Sequence, residues 1–115
     1  MTESSAGGDR DKQGPLPSLS LLVTREDYAG HLFELAETAR DNGIQLMVHL
    51  TGAGVLLCTQ EGFDRLRQIC QVMVCRESAA RHDLLDLLQM RYPDLIVACA
   101  ELARSFLACQ RRLVF

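Results

Sequence analysis

Short apolar runs alternate along the chain with longer segments in which apolar residues recur every three or four positions. The apolar runs predict buried β-strands, and the helical spacing predicts α-helices between them. The predicted strands lie at residues 19–23, 44–50, 72–75, 95–98 and 113–115. The predicted helices are marked by apolar residues at 28–39, 63–69 and 80–91, and by the segment 101–109.

Strands that alternate with helices and are apolar on both faces are typical of a parallel sheet covered on both sides. The sequence therefore predicts an α/β fold, a three-layer α/β/α sandwich with a central parallel five-stranded sheet of the flavodoxin-like topology class. In such sheets ligands bind beyond the carboxyl ends of the strands. The residues to weigh for function follow the predicted strands, at 24–27, 51–54, 75–78 and 99.

The amino-terminal segment differs from the rest in composition. Residues 1–17 are rich in Gly, Ser, Asp and Pro and are predicted to be a disordered tail, whereas residues 18–115 form a single domain. The tail has no apolar core of a secretory signal, and no apolar run could span a bilayer. With a net charge of −3, we expect neither direct nucleic-acid binding nor membrane association.

Cysteine is frequent in this chain and occurs in an odd number, five in 115 residues. Without a secretory signal, these cysteines are expected to be reduced thiols of a cytoplasmic protein. Cys70 and Cys109 fall on helical segments and are interpreted as packing residues. No C-x-x-C or H-x-x-x-H pair occurs, so no metal site is predicted.

Cys75 is the candidate catalytic residue. It ends the third predicted strand, and Ser78 is expected to cap the helix that follows. Free backbone N–H groups at a helix start, with Arg76 and Arg81 nearby, are conditions that lower the pKa of a thiol. The alternative is that Cys75 is a small core residue that happens to lie at a strand end.

Three further residues are secondary candidates at the same edge of the sheet. Cys99 follows the fourth strand, although Glu101 is expected to raise its pKa. Cys58 lies beyond a glycine-containing loop and could reach the same face. His49, near the end of the second strand, could approach Cys75 as a base, or could be a core histidine with its hydrogen bonds satisfied.

The second strand runs into Thr51, Gly52, Ala53 and Gly54, which we expect to form a flexible loop beside the cysteine. The run lacks the pattern of a nucleotide phosphate loop. Its backbone N–H groups could bind an anion or a persulfide sulfur. The competing interpretation is an ordinary loop between a strand and a helix.

Three segments together resemble the DsrE/TusD-like family of sulfur-relay proteins. The strand–cysteine–helix segment is residues 74–81 (VCRESAAR), the loop segment is 49–55 (HLTGAGV), and the carboxyl-terminal segment is 107–115 (LACQRRLVF). The similarity covers roughly residues 18–115. Two positions depart from the family's usual pattern: His82 follows Arg81 where Gly is frequent, and Gln110 stands where Asp is common.

The resemblance implies a cytoplasmic sulfur carrier or sulfurtransferase that needs no cofactor. Cys75 would accept sulfane sulfur as a persulfide and pass it to a partner protein in tRNA thiolation or sulfur oxidation. Thr51, Gly52, Ala53, Gly54, Arg76 and Ser78 would line its pocket. Sulfur-donor and sulfur-acceptor proteins are the implied partners, and a homo- or hetero-oligomer is the implied assembly.

Two other functions remain open from the residues. One is a non-catalytic assembly or regulatory subunit of the same fold, in which Cys75 is inert. The other is a flavodoxin-like module that binds a small ligand or a nucleotide.

Overall fold

The structure, a computed structural model, describes residues 17–115. The predicted disordered tail lies outside the described residues except for Pro17, whose carbonyl oxygen accepts the backbone N–H of Gln45 at 2.8 Å. The strands are β1 (Ser18–Val23), β2 (Gln45–Leu50), β3 (Gln71–Cys75), β4 (Ile96–Val97) and β5 (Arg112–Val114). The helices are α1 (Ala29–Asp41), α2 (Phe63–Ile69), α3 (Arg76–Arg81), α4 (Leu85–Arg91) and α5 (Cys99–Ala108).

The five strands form one sheet in the order β4-β3-β2-β1-β5, and every pair is parallel. Val23 lies opposite Leu50, and Leu50 lies opposite Val74, so the carboxyl ends of the three central strands meet at one edge. The predicted five-stranded parallel sheet is confirmed.

The connections build the two outer layers. From β1 to β4 the chain moves steadily across the sheet, and α1 and α2 pack on each other and on β2 and β3. The connection from β4 to β5 runs back in the opposite direction, which for a right-handed crossover places α5 on the other face. This arrangement is the three-layer sandwich of the flavodoxin-like class.

The core is aliphatic and centred on β2. Leu46, Val48 and Leu50 are buried on one face of that strand, where Leu32 of α1 joins them. Burying one such side chain contributes about 1.5–3 kcal/mol to folding. The helix that carries Leu32 ends where the sequence predicts, since Asn42 caps it and Gly43 follows with a φ of +71°.

The segment predicted as one helix over 80–91 forms two helices. Leu84 N–H donates to the Ala79 carbonyl at 2.8 Å, which closes the end of α3, and Asp83 adopts a φ of +57° in between. This is the usual geometry of a helix end in which glycine is preferred. Because Asp occupies that position, the local sequence did not mark the break.

The start of α3 also differs from its prediction. Ser78 is a buried residue inside the first turn, and Cys75 occupies the capping position. The segment after β2 is ordered as well, since Gly52–Thr59 forms a 3₁₀ helix in place of the expected flexible loop.

Several large apolar side chains remain exposed on the described surface: Tyr28, Leu87, Met90, Leu107, Leu113 and Val114. Of the helices that the structure describes, none combines the length and the apolar composition that crossing a membrane requires.

His49 is buried in the layer between the sheet and α5. Its Nδ1 lies 3.2 Å from the Leu21 carbonyl, which can only accept, so Nδ1 carries the proton. Nε2 then accepts the Ser105 hydroxyl at 3.0 Å, and the Phe106 ring packs edge-on against the imidazole. His49 is therefore a satisfied core histidine, and the hypothesis that it acts as a base on Cys75 is not supported by these contacts.

Protonation of His49 is expected to destabilise the fold. Burial lowers the pKa of His49, so the unfolded chain binds a proton at a higher pH than the folded one. The contribution of neutral His49 to the free energy of unfolding is fully present above the unfolded pKa of about 6.5. It is lost as the pH decreases, by at most about 1.4 kcal/mol per pH unit. His49→Gln should flatten urea-unfolding free energies between about pH 7 and about pH 5.

The exposed His31 offers a matched control. His31→Gln makes the same substitution on the surface and shows what the change from histidine to glutamine does outside the buried layer. An unchanged slope in His49→Gln would contradict the assignment.

Candidate functional site

Cys75 lies at the carboxyl end of β3, where the chain turns directly into α3. It pairs in register with Val97 of β4 and has β2 on its other side through Val74 and Leu50. The residue is buried, with 2% of its surface exposed. The thiol therefore sits below the surface, at the edge that the fold class predicts for chemistry.

Ser78 and Thr51 supply hydroxyl groups beside the sulfur. The Ser78 hydroxyl accepts the backbone N–H of Gly52 at 2.8 Å and lies 3.2 Å from the Thr51 hydroxyl. These contacts join the turn after β2 to the first turn of α3. Two of the residues predicted to line the pocket, Thr51 and Gly52, are thus brought next to Ser78.

The pKa of the Cys75 thiol is lowered from its ordinary value by its hydrogen-bond donors. Burial acts in the opposite direction and is the largest single influence. It is outweighed by the combined hydrogen bonds from the hydroxyl and N–H of Ser78, the hydroxyl of Thr51 and the N–H of Glu77. Neutral hydrogen-bond donors therefore favour the thiolate.

Arginine has a smaller role than the sequence predicted. Arg76 is exposed, and its charge helps to hold the pKa of the Glu77 carboxyl low. The main cause of that lowering is the hydrogen bond from the backbone N–H of Glu77 itself. The pKa of Cys75 is therefore lowered by the hydrogen bonds described above, and not by Arg76 and Arg81 as expected from the sequence.

Glu77 links Cys75 to the next strand connection. Its Oε1 lies 3.8 Å from the Cys75 sulfur and accepts the backbone N–H of Cys99 at 3.1 Å. The carboxylate therefore opposes ionisation of Cys75, because two negative charges would then lie close together.

Cys99 is exposed and begins α5, two residues before the expected start of that helix at Glu101. Its pKa is raised, as expected, but the cause is different. The charge of Cys75 is the largest influence, and a hydrogen bond between the two thiols and the charge of Glu77 add to it. The structure thus brings Cys99 next to Cys75.

The glycines after β2 are explained by packing. A Cβ on Gly54 would lie 2.0 Å from the Val23 carbonyl oxygen, so only glycine fits against β1. The N–H groups of Gly52 and Gly54 donate to the Ser78 hydroxyl and to the Thr51 carbonyl. Neither of these two groups is free for an anion, and Ala53 is half-buried between them.

Two of the other cysteines are held as protonated thiols. Burial raises the pKa of Cys58 to about 12 and that of Cys70 to about 12. Cys70, which caps the end of α2, also donates its S–H to the Leu66 carbonyl at 3.1 Å. Cys58 packs in the core, so the geometry does not support the hypothesis that it is a reactive residue at the carboxyl edge of the sheet.

Cys109 was missed as a candidate by the sequence reasoning. It ends α5, and its sulfur lies 3.4 Å from the Ser18 hydroxyl, which is the main reason that its pKa is lowered. The sequence signal is a cysteine before β5 and serines at the start of β1. This signal identifies the contact only when β1 and β5 are known to be neighbouring strands.

A cleft of about 550 Å³ lies at the carboxyl ends of β1 and β5, lined by Arg25, Tyr28, His31, Val114 and Phe115. The direction of chain winding reverses after β4, so the point at which open α/β sheets commonly bind ligands lies between β3 and β4 and not at this cleft. Of the residues weighed for function after the predicted strands, Arg25 lines this cleft, whereas Cys75, Cys99 and the residues at 51–54 do not.

Comparisons with models of known protein families and with curated proteins give no match for this sequence.

Removing the hydroxyl of Ser78 should raise the pKa of Cys75, because the thiolate loses a hydrogen-bond donor. Glu77→Gln should lower it, because the neighbouring negative charge is lost. Both shifts are read from the pH dependence of the Cys75 alkylation rate, with the alkylated peptide identified by mass spectrometry. Opposite shifts in Ser78→Ala and Glu77→Gln are the expected result.

Ser78→Ala also leaves the Gly52 N–H without its partner, at a cost of about 1–3 kcal/mol. Circular dichroism is therefore needed to verify that the variant is folded. Thr51→Val, which removes the second hydroxyl and keeps the Gly52 contact, should shift the pKa in the same direction as Ser78→Ala. Unshifted profiles in both hydroxyl variants would contradict the proposed cause.

Proposed function

We propose that the protein is a cytoplasmic sulfur carrier in which Cys75 holds sulfane sulfur as a persulfide, in the manner of the DsrE/TusD-like proteins that its sequence resembles. The observation that carries the proposal is the Cys75 sulfur itself. It receives hydrogen bonds from two hydroxyls and two backbone N–H groups at the carboxyl edge of the sheet, and they lower its pKa.

The transfer requires only thiol exchange. The Cys75 thiolate attacks the terminal sulfur of a donor persulfide, the sulfur–sulfur bond of the donor breaks, and the donor leaves as a thiolate. Cys75 then carries the sulfur, and an acceptor thiolate removes it by the same reaction. No net oxidation occurs, and neither metal nor cofactor takes part.

Burial limits which molecules can reach Cys75. With 2% of the residue exposed, a small sulfane donor reaches the sulfur more easily than a thiol on a protein surface does. Once loaded, the persulfide extends by one sulfur–sulfur bond of about 2.05 Å. The transferable sulfur therefore lies one bond length beyond the Cys75 sulfur, and it is this atom that an acceptor thiolate has to reach.

The same arrangement gives each alternative function a distinguishing feature. In a non-catalytic subunit Cys75 would be inert, and its hydrogen-bond donors would serve packing alone. A small-ligand module would use the cleft between β1 and β5, which lies apart from Cys75. Sulfur loading of Cys75 separates the proposed carrier from both alternatives.

Incubation with cysteine persulfide should add mass in steps of about 32 Da to the peptide that contains Cys75. Cys75→Ser should abolish this loading while the protein remains folded. Intact mass and peptide mass spectrometry, with circular dichroism as the folding check, make the measurement.

The structure supplies two matched controls. Cys70→Ser keeps a donor for the Leu66 carbonyl and lies in the same tryptic peptide as Cys75. Cys109→Ser removes the other thiol with a lowered pKa. Both variants should accept sulfur as the parent protein does. If loading survived in Cys75→Ser but disappeared in Cys109→Ser, Cys109 and not Cys75 would be the sulfur-bearing residue.

Self-association is the further part of the proposal. Leu88 of α4 is buried, but Leu87 and Met90 on the same helix are 39% and 83% exposed. We expect a second copy of the chain to cover this face, since burying such side chains stabilises association.

Light scattering should therefore give a mass above that of the 12.8 kDa chain. Met90→Arg should shift the mass towards the monomer, whereas Leu107→Arg on α5 should not. A monomeric parent protein at high concentration would contradict this expectation.

A further inference from the structure

Cys75 and Cys99 share one partner atom. Glu77 Oε1 contacts the Cys75 sulfur at 3.8 Å and the Cys99 backbone N–H at 3.1 Å. The backbone explains this closeness: Cys75 pairs with Val97, and Cys99 follows only two residues later. The charge of Cys75 is also the largest influence on the pKa of Cys99, which it raises.

The two residues differ in access to solvent. Cys75 is 2% exposed, whereas Cys99 is exposed at the start of α5. A reagent in solution therefore reaches Cys99 more readily than Cys75. One thiol is suited to meeting an oxidant, and the other is suited to displacing what the first has bound.

We propose that Cys75 and Cys99 close a reversible intramolecular disulfide, which forms by exchange with a low-molecular-weight disulfide and takes Cys75 out of use. This inference goes beyond sulfur transfer, because it requires no persulfide. It makes the site a redox-sensitive pair, not a single reactive thiol.

The reaction balances with glutathione disulfide as the oxidant. The Cys99 thiolate attacks one glutathione sulfur, forms a mixed disulfide and expels a first glutathione thiolate, which takes up the proton that Cys99 lost. The Cys75 thiolate then attacks the Cys99 sulfur and expels the second glutathione thiolate. The two cysteines lose two electrons and two protons, and the disulfide becomes two glutathione thiols.

The other three cysteines lack this arrangement. Cys58 and Cys70 are held as protonated thiols by burial, and Cys70 is bonded to the Leu66 carbonyl. Cys109 contacts Ser18 at the amino end of β1, the opposite end of the sheet from Cys75. The proposed bond is therefore specific to one pair.

The test starts from the fully reduced protein, treated with glutathione disulfide and then denatured in N-ethylmaleimide. The parent protein should become lighter by two hydrogen atoms and accept three maleimides in place of five, one for each remaining cysteine. Dithiothreitol should restore all five. Non-reducing tryptic digestion should then link peptide 68–76 to peptide 92–104.

Peptide 68–76 contains both Cys70 and Cys75, so the digestion is repeated with Cys70→Ser, in which the link should persist. Cys109→Ser should also keep the link. Cys75→Ser should lose the link and retain glutathione on Cys99, and Cys99→Ser should lose both. Five maleimides after oxidation of the parent protein, or a link through any other cysteine, would overturn the inference.

Persulfide loading of Cys75 is measured on the same preparations. Loading without the disulfide overturns this inference and leaves the proposed function standing. A disulfide without loading supports this inference and overturns the proposed function.

Discussion

The buried hydroxyl of Ser78 holds together the two chain segments that make the site. It accepts the Gly52 N–H at 2.8 Å, contacts the Thr51 hydroxyl and donates towards the Cys75 sulfur. A buried hydroxyl without partners costs about 1–3 kcal/mol, so α3 must begin where these groups can meet. The starting point of α3 in turn places Glu77 within reach of Cys99.

This dependence explains why Cys75 combines deep burial with a lowered pKa. Desolvation alone would keep the thiol protonated, as it does at Cys58 and Cys70. The difference at Cys75 is the supply of donors at the start of a helix and the end of a strand, where backbone N–H groups lack partners within the helix. The same sulfur in the middle of a helix would be a packing residue.

Local signals were sufficient for the sheet and for part of the site. The apolar run that ends at Cys75 predicts β3, and the parallel arrangement predicts that Cys75 and Cys99 lie at the same edge of the sheet. What escaped the sequence depends on distant contacts. His49 is satisfied by Ser105, 56 residues away, and Cys109 contacts Ser18 across 91 residues. The helix end at Asp83 was not predicted, because glycine is the residue that usually marks such a position.

Cys75 and Cys109 show why a lowered pKa alone does not identify a functional thiol. Both are buried, and neighbouring hydroxyls lower the pKa of both. Cys109, however, lies at the amino edge of the sheet, where helices end and carbonyl groups face outward. Cys75 lies at the carboxyl edge, beside N–H donors and an exposed second thiol. The sulfur exchange that we propose needs a stabilised thiolate and a route to a partner, and Cys75 combines a lowered pKa with an exposed neighbouring residue at that edge.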